Sequence, residues 1–211
     1  MAAFVNAYNG VKKIYHAEVL TIVAAFFMII AAILGLVQPT DTILTITGAV
    51  TIVSAIAFVI AFFIQMSGLN QAGKDHQAFK TAFWIVIIAI VLGIAGGVLE
   101  SLKNNTLKLA GELISTFTSL SSIFVIVFTI SGISALSPDK EFAAKGNKIS
   151  WAILILYAVS FIISVVVAIF TDVSDTVVIV FGVLALIASL IDFIIYINIF
   201  FYYKKAVQVL S

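Results

Sequence analysis

The chain has 211 residues, 63% of them hydrophobic and 10% charged, with a mean hydropathy of +1.26; soluble domains carry about a quarter charged residues, so this composition excludes one. Eleven lysines, no arginine and ten acids leave a net charge of +1, which excludes the clustered guanidinium surface of a nucleic-acid binder. The lack of cysteine excludes disulfides, thiolate catalysis and thiolate-held metal, and leaves the redox compartment open.

Six apolar runs follow one another: about Ala17 to Val37, Ile43 to Met66, Thr81 to Leu99, Leu113 to Leu136, Ile149 to Thr171 and Val177 to Tyr203. Each is near the length that crosses a bilayer as a helix. The fold expected is therefore an all-α membrane protein of six transmembrane helices, paired as three helical hairpins over about 11–67, 80–136 and 148–205 of a single transmembrane domain. The first run follows Lys12 and Lys13 but has no small-x-small cleavage site after it, so it reads as a retained helix. The connections are too short to hold a folded domain outside the bundle.

Lysine placement sets the orientation. Lys12, Lys13, Lys74, Lys80, Lys140, Lys145, Lys148, Lys204 and Lys205 fall on one side of a six-span arrangement, and only Lys103 and Lys108 on the other. The positive-inside rule then puts both termini in the cytoplasm. The opposite side carries Asp41, Glu112, Asp172 and Asp175, with tight turns at Gln38-Pro39-Thr40-Asp41 and Thr171-Asp172-Val173-Ser174-Asp175. The hairpins also resemble one another: Ser67-Gly68 and Ser131-Gly132 close the second and fourth runs, while Trp84 and Trp151 open the third and fifth. A period of roughly 65 residues fits duplication of one hairpin, and equally a stack of similar hairpins.

Each run carries small or hydroxylated residues at helical spacing: Ala24, Ala31 and Gly35; Thr47, Thr51, Ser54, Ala61 and Gln65; Ala89, Gly93, Gly97 and Glu100; Ser115, Ser119, Ser122 and Thr129; Tyr157, Ser160, Ser164, Ala168 and Thr171. Such stripes normally let membrane helices pack closely; a solvated path lined by the same hydroxyls is the other reading. The sixth run has Asp192 with Ser189 and Tyr196 beside it at helical spacing. Asp192 precedes Lys204 by twelve positions, roughly 18 Å along a helix axis, which sets it within hydrocarbon. Intramembrane acids mark ion or substrate routes by default, and no Lys, Arg or His lies inside a run to pair with it. Asp192 therefore reads either as a proton-carrying site or as a hydrogen-bonded structural acid, with Ser189, Tyr196, Ser160 and Ser164 as its polar company and Glu100 and Gln65 as outlying candidates. Glu100, at the end of its run, reads as a solvated boundary residue.

Catalytic signatures are missing. Gly93-Ile94-Ala95-Gly96-Gly97 lies inside a run and lacks the Gly-Lys-Ser/Thr of a phosphate loop. The serines from Ser115 to Ser122 have no histidine base in a neighbouring run. His16 and His76 each stand alone without metal-ligand spacing. The doubled aromatics Phe26-Phe27, Phe62-Phe63 and Phe200-Phe201-Tyr202-Tyr203 read as interfacial anchors.

The first hairpin, Ile33-Leu34-Gly35-Leu36-Val37-Gln38-Pro39-Thr40-Asp41-Thr42-Ile43-Leu44 leading to Gly48 and Ser54-Ala55-Ile56, resembles the repeating unit of the HdeD-like family of small six-span bacterial membrane proteins. That resemblance implies three hairpins, a cytoplasmic-membrane location in a prokaryote, and a link to acid stress without an assigned molecular activity; it carries over no functional residue. Two functions stay open. One is a non-catalytic stress or envelope protein acting through partners or lipids, which expects a packed interior with no sizeable cavity. The other is a small transport module, either a proton-linked carrier or a substrate-capturing membrane subunit, which expects a polar pocket at Asp192. The expected partners are the lipid bilayer and a second copy or another membrane protein, without nucleic acid or cofactor; the substrate is not legible.

Overall fold

The computed structural model describes the backbone of residues 3–37, 40–102, 105–170 and 175–211; side chains at 36–37, 105, 108–109, 112–113, 116–117, 119, 160–190 and 192 lie outside the described set. The described residues form six α-helices and no strand: α1 (Val5–Val37), α2 (Asp41–Ala72), α3 (Gln77–Glu100), α4 (Asn105–Leu136), α5 (Lys140–Phe170) and α6 (Asp175–Val209). Among the described residues three stretches are long and apolar enough to cross a membrane: Val5–Gly35, Asp41–Ala72 and Gln77–Glu100.

Most helices outrun the apolar stretches on which they are built. α1 starts at Val5 rather than near Ala17, α5 starts at Lys140 rather than near Ile149, and α6 continues to Val209 beyond Tyr203. Charge stops a segment from entering hydrocarbon, but it does not stop a helix. In the first turns of α1 the pattern is amphipathic: Ala7, Val11, Ile14 and Ala17 are buried while Lys12 and His16 are exposed, one stripe at helical spacing. Side chains adjacent in sequence cap three starts. Thr40 Oγ1 accepts from Ile43 N–H at α2, and His76 Nδ1 from Ala78 N–H at α3. Asp139 Oδ1 accepts from the N–H groups of Glu141 and Phe142 at α5, each satisfying donors that the helix cannot.

Every helix contacts its neighbour in chain order and α6 returns to α1, closing a ring; α1 with α2 and α3 with α4 make the most extensive contacts, and α2 with α3 a thin one. The buried core lies at the lysine-rich end: Val11 and Ile14 on α1, Leu69 on α2, Phe79 and Ala82 on α3, Ile130 and Ile133 on α4, Ile149 and Ile153 on α5, Tyr202 and Ala206 on α6. Away from that end large apolar side chains face outward, as at Phe26, Ile52, Val53, Phe63, Ile94 and Val98. Water does not favour such a surface, and lipid does not oppose it.

Three close crossings organise the lysine-rich end. Gly10 and Gly68 bring the backbones of α1 and α2 together: a Cβ on Gly10 would stand 2.5 Å from Gly68 O, and one on Gly68 2.6 Å from Gly10 O. Between α3 and α4, Phe79 lies against Gly132. At α5, Gly146 leaves room for Tyr202 of α6 and Ser134 of α4, whose hydroxyls are hydrogen-bonded to each other at 2.9 Å. The pairs α1–α2, α3–α4 and α5–α6 thus each have a glycine at their crossing, opposite a glycine or an aromatic ring. Phe142 stacks on Tyr202 with centroids 4.4 Å apart and planes 8° from parallel. Tyr202 and Tyr203, 1% and 2% exposed, are core residues and not the interfacial anchors expected from doubled aromatics; Phe26, Phe27, Phe63 and Phe201 do face outward. The tyrosines turn inward because α6 continues as helix past the apolar run, so its last apolar turns pack on α4 and α5.

Asp75, in the four-residue connection between α2 and α3, ties this end together. Its Oδ1 accepts from Asn6 Nδ2 at 2.8 Å and its Oδ2 from Ala7 N–H at 2.7 Å. A loop carboxylate therefore caps α1 from 68 residues away.

Candidate functional site

α2 and α3 meet at their tight connection, Gly73–His76, and make little other contact. The divergence leaves a cleft of about 550 Å³ among α1 to α4. Its walls are mostly apolar, with Phe62 from α2, Val86, Ala89 and Gly93 from α3, and Val125 and Ile126 from α4. Polar groups are few: the amide of Gln65, the hydroxyls of Thr118, Ser121 and Ser122, and the carboxyl of Glu18 on α1. Gly93 keeps α3 thin where it faces α4, since a Cβ there would only reach ordinary contact with Thr118 Cγ2 at 3.5 Å.

Glu18 is the one titratable group among the described lining residues, and no cation accompanies it there. It lies five residues, about one and a half turns, past Lys13 and on the same buried stripe as Ile14 and Ala17, which aims its side chain into the bundle and away from the lysine-rich surface. Tyr196 Oη of α6 donates to Glu18 Oε2 at 2.9 Å across 178 residues of sequence. This bond holds one carboxyl oxygen and fixes the rotamer, as a positioned functional group requires. Oε1 has no hydrogen-bond partner among the described residues. Glu18 thus joins α1 to α6 on one side and opens to the α2–α3 cleft on the other.

The residues singled out from sequence are distributed unevenly about this place. Tyr196 belongs to it, through Glu18, and Gln65 lines the cleft. Glu100 ends α3 half-buried and accepts from Ser115 Oγ at 2.5 Å rather than standing free in solvent; it fastens α3 to α4 and is not among the residues that line the cleft. The side chains of Asp192, Ser189, Ser160 and Ser164 lie outside the described residues, as do the turns at Pro39 and at 171–174. Ser54 and Ala61 are buried as packing stripes require, whereas Thr51 and Gly97 face outward and Gly96 takes the buried place on α3. Sequence reading passed over Glu18 because two lysines just before it mark a water boundary. The signal that finds it is the stripe Ala7, Val11, Ile14, Ala17 and Glu18, in which a carboxyl takes a core position.

Among the described residues no three His, Asp or Glu side chains converge as metal ligands. No family model, curated protein or solved structure matches the chain.

Proposed function

We propose that the chain is a six-span integral protein of a prokaryotic cytoplasmic membrane, with both termini cytoplasmic, that captures a small lipophilic molecule in the α2–α3 cleft without catalysing its conversion. The carrying observation is the cleft itself, some 550 Å³ of mostly apolar space reached by one buried-side carboxyl. Binding sites for small molecules have this make-up: an apolar body with a few placed polar groups. A packed scaffold expects no such volume, and the transport reading expects a polar pocket at Asp192, whereas this cleft is mostly apolar with Glu18 as its carboxyl; what it supports is capture of a lipophilic molecule. Glu18 takes the central role that depth alone suggested for Asp192. Outward-facing apolar side chains at mid-helix support the membrane placement, and the bilayer is the partner and the source of the captured molecule.

The test is retention of a neutral fluorescent probe, 2-naphthylmethanol, by the protein in phospholipid nanodiscs, measured against empty nanodiscs. Native protein should retain the probe in excess, and Gly93→Leu, which projects a side chain into the cleft, should lose the excess. Equal retention by native protein and empty nanodiscs would refute the capture reading. For the topology, the cysteine-free chain allows single cysteines at Ser211 and Thr42 to be labelled from opposite faces of the membrane; labelling of both from one face would overturn the arrangement.

A further inference from the structure

Resting on that reading, we infer that the molecule the cleft takes is a lipophilic monocation, an apolar body bearing one ammonium group, which Glu18 receives on its free Oε1. The inference follows from the charge of the lining. Glu18 is the sole titratable group the described lining offers, and the remaining polar atoms are an amide and three hydroxyls. An anion would meet a carboxylate with nothing to neutralise it. A zwitterionic phospholipid head would leave its phosphate equally unpaired, because no lysine or histidine is among those lining residues. A neutral molecule would leave the carboxylate facing apolar walls without a counter-charge, an arrangement that low-dielectric surroundings penalise. A monocation satisfies both partners at once, and its charge-assisted hydrogen bond is of the stronger kind.

The geometry agrees with the chemistry. Tyr196 engages Oε2 and leaves Oε1 open, so the carboxylate can accept an ammonium donor without losing its anchor to α6. Glu18 lies five and six residues beyond Lys13 and Lys12, roughly 8–9 Å along the helix axis, whereas the apolar walls continue along α3 as far as Ile94. A ligand bound at Glu18 therefore has its charged end toward the lysine-rich face and its apolar body in the outward-running part of the cleft. Phe62 lines the same cleft as Glu18, and an aromatic face within reach of the ammonium would add attraction for the cation.

The experiment uses three matched probes on the full chain in nanodiscs: 2-naphthylmethylammonium, 2-naphthylmethanol and 2-naphthoate, each corrected for its retention by empty nanodiscs. The expected result is a preference for the ammonium over the alcohol of roughly tenfold, the size that one hydrogen bond to a charged group confers, with the carboxylate weakest. Glu18→Gln should bring ammonium and alcohol to within about twofold of each other while alcohol retention persists, that persistence showing a folded cleft. Equal retention of ammonium and alcohol by the native protein overturns the inference and leaves capture standing. Retention of none of the three overturns both. The native comparison requires no variant, so a Glu18→Gln protein that fails to fold does not rescue a failed preference.

Discussion

Substituting Gly10 by alanine tests whether the lysine-rich crossing holds the bundle. The new Cβ would stand 2.5 Å from Gly68 O and 2.7 Å from both Ala72 N and Ala72 Cβ. The nearest atoms are backbone and a methyl fixed to it, so no flexible side-chain tip can swing away. Ordinary contact begins near 3.4 Å, so α1 and α2 must part by close to an ångström at this point. A gap of that size forfeits about a quarter to a half of the dispersion between facing atoms, here between Val11, Ile14 and Leu69. Overpacking of this kind costs about 1–3 kcal/mol, and removal of a mid-helix glycine returns at most about 1 kcal/mol. The net expectation is destabilisation by up to about 2 kcal/mol, and by about 1–3 kcal/mol relative to a glycine replaced where nothing is in the way. Gly48→Ala is the control, because nothing lies within 4 Å of its Cβ and only the propensity gain remains. Equilibrium unfolding in mixed detergent micelles, read by the fluorescence of Trp84 and Trp151, measures both. If Gly10→Ala proves as well tolerated as Gly48→Ala, the close crossing of α1 and α2 is wrong.

Two further substitutions probe the same end of the molecule. Asp75→Ala removes the acceptor shared by Asn6 Nδ2 and Ala7 N–H; a lost cap of this kind costs about 1–2 kcal/mol, and faster hydrogen exchange at the Ala7 amide than in the native chain should report it. Tyr202→Phe keeps the ring stacked on Phe142 and removes the partner of Ser134 Oγ, so it should destabilise by about 1 kcal/mol, while Tyr202→Leu, which loses the ring as well, should cost more in the same micelle unfolding series.

How much of this was legible in the sequence depends on whether a feature is local. Apolar runs of membrane length and the Thr40 turn are local, and they announce helices where helices stand. The ends of those helices were not announced, because Lys12 and Lys145 suit a helix while breaking the apolar pattern, and a search for hydrocarbon-length runs discards them. The core went with them. Gly10 lies outside the first apolar run, and its role depends on Gly68, a partner 58 positions away that no periodicity within one helix can name. The candidate site divided in the same way. Tyr196 and Gln65 were found as polar residues in apolar company, which is a local signal. Glu18 was hidden by its neighbours Lys12 and Lys13, because charge placement reports where a helix meets water and not which way a side chain points. Only the packing of α6 on α1 places a tyrosine beside that carboxyl.

The thin contact between α2 and α3, fastened at one end by the Asp75 connection, also has a mechanical meaning. A pair of rods pinned at one end moves as a lever about the pin, with displacement growing along its length. α3 runs for 24 residues, roughly 36 Å, so a tilt of only about 5° at the connection carries its far end through roughly 3 Å. The mouth of the cleft can widen by the width of a methyl group while Phe79, Gly132 and Gly68 near the pivot scarcely shift, which lets a packed core and an adjustable opening belong to the same pair of helices.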